Sequence, residues 1–187
     1  MALMPGVRGE GDIQEIAGRR YRRRLRRVWF PGAGRNPPGG DRAILFVGMN
    51  PSTADAEEDD RTCRREQMIA RRLGFNRYLK ANILDVMATR PGDIPRDLLQ
   101  ARTDQSLEEI RRMVQEAEWI VLAHGNLPPW FAQAVLETYE AIRDSGKPVA
   151  VFQFNRNDGP THTRRILNRN IPANIEDARW RAFYEAH

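Results

Sequence analysis

Four short apolar runs constrain this chain more than any other feature: "AILFVGM" (43–49), "YLKANILDVMA" (78–88), "WIVLAHG" (119–125) and "PVAVFQF" (148–154). A short apolar run bounded by turn residues suits a strand covered on both faces, as in a parallel sheet. Between the runs the spacing turns helical. Cys63, Met68, Ile69 and Leu73 fall near one stripe of residues 60–73, with Asp60 or Thr62 placed to cap and Gly74 and Asn76 to stop it. Asp104 opens a second helix through Ala117, with Glu108 set for a capping-box-like contact. "PPWFAQAVLETYEAIRDSG" begins with proline and stops at Gly146. Residues 90–102 read as a loop or a short helical turn. This alternation predicts an α/β fold: three layers, α/β/α, around a central, mostly parallel sheet of about four strands.

In such sheets ligands bind beyond the carboxyl ends of the strands. Those ends carry Gly48, Met49, Asn50, Pro51 and Ser52, then Thr89, then His124 and Asn126, then the polar loop 155–162 with His162. Asn82, a polar residue of the second run, and Thr53 join this set of candidate ligand contacts. His124 and His162 are candidates for acid–base work or for polarising a carbonyl. The bland reading of a histidine after a strand is a hydrogen-bonded structural residue. His162 is favoured, because its surroundings are polar and irregular.

The net charge of +5 invites a nucleic-acid partner, but its distribution matters more than its total. Residues 1–42 hold ten arginines against Glu10, Asp12, Glu15 and Asp41, whereas the rest of the chain holds 20 basic and 21 acidic residues. The basicity therefore sits at the start. Residues 1–18 are Gly-rich and aperiodic, which reads as a mobile lead. A single domain follows over 19–187. In "RRYRRRLRRVWF", Tyr21, Leu25 and Trp29 share one side at period two, with Arg22, Arg24 and Arg26 on the other: a strand with one basic face. A helix competes, since those three residues are also spaced by four. Residues 31–41 form a loop. One cysteine, Cys63, excludes an internal disulfide framework and a multi-cysteine zinc site. Its place in a helical apolar pattern favours packing over nucleophilic chemistry. No apolar run reaches the ~20 residues a spanning helix needs, and the start lacks a secretory core. A reducing cytoplasm, no membrane and no cofactor are the expectations.

The stretch "GMNPSTADAEEDD" (48–60) is neither a phosphate loop nor a dinucleotide fingerprint. Gly48 lets backbone approach something closely. Asn50 offers donors and an acceptor, suited to a base edge or a water. A turn in which Asn50 bonds to nearby backbone is the equal alternative. Asp55, Asp59 and Asp60 are a weak metal candidate, since hard cations take several oxygens, although such acidic runs are more often solvated loops. Arg64 and Arg65 near a helix start, with Arg164, are candidate phosphate ligands.

"NPSTAD" followed by Asp60-x-Thr62-x-Arg64-Arg65, with "ANILDVMATRPGD", "TDQSL", "VLAHGN" and "NDGPTH", resembles the bacterial family called domain of unknown function 1643 over about residues 21–165. More distantly, "GMNP" after a buried strand looks like the first motif of the uracil-DNA glycosylase superfamily, in its single-strand-selective and mismatch-specific branches. That resemblance implies a uracil-DNA-glycosylase-like fold, with Asn50 positioning the attacking water and His162 as the late histidine that contacts the base. Ser52 stands where those enzymes have glycine, and Thr163 follows His162 where they have a His-Pro pair.

Three functions follow as expectations. The first is a glycosylase-like protein recognising or excising a nucleobase, with DNA preferred over RNA, or a nucleotide, as partner. The second is a binding module without catalysis, with salt-sensitive affinity seated in residues 1–42. The third is a metal-assisted enzyme on a small phosphorylated metabolite.

Overall fold

The computed structural model describes residues 1–29, 40–156, 159–163 and 172–174. Its strands are β1 (Val7–Ile16), β2 (Arg19–Trp29), β3 (Ala43–Gly48), β4 (Arg77–Asn82), β5 (Trp119–Leu122), β6 (Val149–Val151) and β7 (Ala173–Asn174). Its helices are α1 (Arg61–Arg72), α2 (Leu98–Ala101), α3 (Asp104–Glu116) and α4 (Ala132–Asp144). All strands join one mixed sheet in the order β1-β2-β4-β3-β5-β6-β7. The four apolar runs supply the parallel centre, β4-β3-β5-β6. β2 pairs antiparallel with β4, β1 with β2, and β7 with β6. The chain steps from β3 to β4 on one side, then crosses to β5 on the other. That reversal makes the carboxyl end of β3 a switch point, where α/β sheets open a crevice.

The α/β expectation holds, but the sheet has seven strands rather than the few expected. β1 is the clearest difference, because it lies within the Gly-rich lead. It pairs with β2 from Val7 opposite Trp29 to Ile16 opposite Arg19. None of its residues is fully buried, so backbone pairing rather than apolar burial forms it. Glycine there marks close approach: a Cβ on Gly9 would stand 2.0 Å from the Ala56 carbonyl oxygen. The acidic loop 50–60 lies across β1 and needs that space.

β3 is buried along its whole length, and its alternate residues serve different clusters. Ile44 and Phe46 pack with Cys63, Ile69 and Ala70 of α1. Leu45 and Val47 pack with Ile110 and Met113 of α3 and Val135 and Tyr139 of α4. Burying a side chain of this size contributes about 1.5–3 kcal/mol, so both clusters matter to stability.

β2 departs from a simple basic face. Opposite β1, Asp12 pairs with Arg24 and Ile13 with Arg22, leaving Arg23 as an extra residue. A bulge of one residue reverses the alternation beyond it. Tyr21 therefore joins the α3/α4 cluster and Leu25 the α1 cluster, not one side as the spacing suggested. Arg22 and Arg27 end up buried, at 1% and 0% exposure. Arg24 and Arg26 reach Glu109 and Glu116 of α3, and Arg23 reaches Asp12. Much of the basic start is thus neutralised inside the fold.

Element ends also moved. The run 78–88 stops as a strand at Asn82. Residues 83–88 remain largely buried, but their amides go to Gly48, Met49, Ala101, Arg20 and Pro51 instead of one ladder. The other runs likewise extend past their strands, β5 ending at Leu122 and β6 at Val151. Asp60 caps α1, accepting from the Cys63 amide at 2.7 Å. The cap position of α3 is Thr103 rather than Asp104, and its amide and hydroxyl both donate to Asp85. Gly146, at φ +64, follows the end of α4. Among the described residues, no helix is long and apolar enough to cross a membrane.

Candidate functional site

A cavity of about 460 Å3 opens where β3, β4 and β5 end, beside the first turn of α1. Its wall takes in Gly48, Met49, Asn50, Ser52, Asn82, Thr89, His124, Asn126 and His162. The strand ends thus converge as the alternating order requires. Pro51 and Thr53 stand outside the wall: Pro51 is buried, its carbonyl accepting from the Ala88 amide, and Thr53 is exposed.

The floor is built on Gly48 and β4. A Cβ on Gly48 would stand 2.7 Å from Asn82 Oδ1 and 2.9 Å from Lys80 Nζ. Only a bare Cα lets both side chains lie over the end of β3. Lys80 is 4% exposed and donates to Glu66 Oε1 at 2.9 Å. Glu66, wholly buried in α1, also accepts from the Tyr78 hydroxyl at 2.6 Å and the Thr163 hydroxyl at 2.8 Å. A buried ion pair holds only when the remaining lone pairs are satisfied, and Tyr78 and Thr163 do that. Thr163, which replaces the proline expected after a late histidine, therefore ties the segment bearing His162 to α1. Burial, with Cys63 and Glu66 beside it, holds the Tyr78 hydroxyl well above the ordinary phenol range.

Asn82 differs from its neighbours. It is 3% exposed, and both Nδ2 and Oδ1 are buried without a partner among the described residues. A lost hydrogen bond at a buried polar group costs about 1–3 kcal/mol. Asn50 is the opposite case on one side of its amide. Its Nδ2 donates to the Pro51 carbonyl at 2.9 Å and the Ala88 carbonyl at 2.8 Å. Carbonyls only accept, so these contacts fix the amide orientation and make Oδ1 the atom left to accept from a ligand or water.

The acids of the following loop have structural duties. Asp55 Oδ1 accepts from the amides of Glu57 and Glu58. Asp59, buried, takes Arg27 Nε at 2.9 Å and Gln67 Nε2 at 2.9 Å. Asp60 is the helix cap and lines the cavity edge. Among the described residues no group of three or more His, Cys, Asp or Glu side chains could hold a metal.

His124 is held on both ring nitrogens. Nδ1 lies 2.7 Å from the Gly125 carbonyl, which can only accept, so Nδ1 carries a proton. Nε2 lies 2.6 Å from the Tyr139 hydroxyl. This is the structural role weighed for it above, with the ring steadying the turn after β5. His162 is half-buried in the wall, its Cβ 3.5 Å from where a Cβ on Gly125 would stand. Asn126 at the rim accepts from Asn155 Nδ2 at 2.7 Å, and Thr89 is exposed there.

Of the expected phosphate ligands, Arg64 donates to the Ala2 carbonyl and Arg65 to the Thr163 carbonyl. Neither lines the cavity, and Arg164 lies outside the described residues. The basic residues in the wall are Arg22, Lys80 and Arg90, none of them singled out from sequence. A lysine inside a largely apolar run was the available signal for Lys80. Arg22 gave none, because the bulge that aims it leaves no mark in the residue pattern. Cys63 also reaches the wall, but burial pushes its thiol up to about 12. It is a packing residue, not a thiolate nucleophile.

No curated protein and no solved structure matches this chain. One family model does, described as protein of unknown function (DUF1643), over residues 20–163. That span runs from the head of β2 to Thr163 and includes every residue of the cavity wall, so the chain belongs to this family.

Proposed function

We propose that the cavity recognises a nucleobase, with the Asn82 amide reading its edge. The observation that carries this reading is that amide, buried at the cavity floor with both polar atoms unpartnered. Nucleobases present neighbouring donors and acceptors, and an asparagine amide matches such a pair bidentately. A base seated there supplies both missing hydrogen bonds at once. The cavity volume is in the usual range for small-ligand sites. The likeness of Gly48-Met49-Asn50-Pro51 to the first glycosylase motif points the same way, as does a ligand site at the switch point of an α/β sheet.

The fixed orientation of Asn50 supports a second step. Its Oδ1 accepts from a water and aims that oxygen at the sugar carbon. The carbon–nitrogen bond to the base breaks, its electron pair leaves with the base, and the water oxygen takes its place on the carbon. The water's proton passes to solvent or to the departing base. Substrate is a base out of its stack, in a single strand or flipped from a duplex, or a nucleotide.

Two measurements test these readings. Calorimetric titration with bases, nucleosides and oligonucleotides should find a ligand that Asn82→Ala no longer binds. The same variant should lose no more than about 0.5 kcal/mol of stability despite the burial of Asn82, because the substitution removes an unsatisfied amide. Binding unchanged in Asn82→Ala would end the recognition reading. Release of uracil or a modified base from labelled oligonucleotides, absent in Asn50→Ala, tests excision. Binding with no release from any substrate leaves recognition alone.

A further inference from the structure

Arg22 is 1% exposed, yet it borders the cavity. Among the described residues no carboxylate lies within ion-pair distance of it. Nη1 donates to the Ala54 carbonyl at 2.7 Å, and Nε is buried with no partner. A buried cation without a counter-ion is costly and calls for an anion from elsewhere. Lys80, by contrast, is already matched by Glu66.

The residue is also aimed. The bulge at Arg23 turns Arg22 away from the acids of α3 and onto the side of the sheet that α1 covers. Bulges recur next to sites because they redirect one side chain. There it shares the cavity wall with Thr62 and Cys63 in the first turn of α1, a helix of 12 residues. A helix start favours negative charge through its unpaired amides and its dipole. The first turn of α1 carries no acidic residue, and the cap Asp60 is engaged by the Cys63 amide.

We infer that Arg22 and the N-terminal turn of α1 form an anion subsite inside the cavity, so that its ligand is a free nucleoside monophosphate whose phosphate is enclosed with its base. This rests on the nucleobase reading and deepens it. A base flipped from a polymer keeps its phosphates along the protein surface, where an enclosed guanidinium cannot serve them. A monophosphate carries its charge into the cavity and takes the fork of Arg22 directly.

The test is a comparison of ligands on the full chain: purine and pyrimidine nucleosides, their 5′-monophosphates, ribose 5-phosphate and a single-stranded oligonucleotide. A 5′-monophosphate should bind about tenfold or more tighter than its nucleoside, with the ratio shrinking as salt rises. In Arg22→Met the ratio should fall to about one with nucleoside affinity kept, and Arg22→Lys should retain part of it. Should Arg22→Met fail to fold, the wild-type ratio and its salt dependence decide. Equal affinity for nucleoside and monophosphate overturns the anion subsite and leaves the base reading standing. A 5′-monophosphate that binds no tighter than ribose 5-phosphate, needs Arg22 and keeps its affinity in Asn82→Ala keeps the subsite and overturns the base reading. Oligonucleotide binding with no preference for the monophosphate assigns the charge to a polymer and overturns the subsite.

Discussion

Replacing Arg27 with methionine should be among the most damaging single changes to this fold. Arg27 and Asp59 are both wholly buried as side chains, 2.9 Å apart. Arg27 also donates to the carbonyls of Arg26 at 2.9 Å and Glu58 at 3.0 Å, and to that of Asp55. Methionine keeps the apolar stem and removes every donor. Asp59 is then left with Gln67 as its remaining partner, at 2.9 Å. Removing one member of a buried pair costs about 3–5 kcal/mol, because the other charge stays buried. With a urea slope of about 2 kcal/mol/M, the unfolding midpoint should drop by about 1.5–2.5 M. Because the same contacts pin the loop that carries Asn50 and Ser52, ligand affinity should fall as well. The double variant Arg27→Met/Asp59→Leu removes both charges and should regain most of the loss. Urea unfolding of the three variants beside wild type is the assay. A loss under about 1 kcal/mol in Arg27→Met, or a double variant no better than the single, would refute the view that this pair anchors the loop.

Gly48→Ala should cost about 1–3 kcal/mol, since its methyl meets Lys80 and Asn82 under 3.0 Å, and should abolish ligand binding; a variant that binds as wild type would show that the floor yields easily. Cys63 should react with a thiol-specific disulfide reagent at pH 8 only after denaturant is added, given a thiol held near 12 by burial. Prompt labelling of folded protein would contradict that environment.

What was legible in the sequence was the frame. Four apolar runs separated by helical spacing dictate a parallel sheet, because strands buried on both faces must be covered by the helices between them. They also place Gly48, Asn50, Asn82 and His124 near one crevice, since the carboxyl ends of parallel strands share one edge. Asp60 as a helix cap followed from local rules. Tertiary structure decided the rest. Whether His124 is a catalyst or a strut depended on Tyr139, 15 residues away. Arg64 and Arg65 were drawn off by carbonyls at Ala2 and Thr163. Arg22 was redirected by one extra residue in β2, and because side chains alternate with a period of two, a single insertion exchanges the faces. Local pattern fixes where strands run and end, whereas a polar side chain's role depends on which distant atoms reach it first.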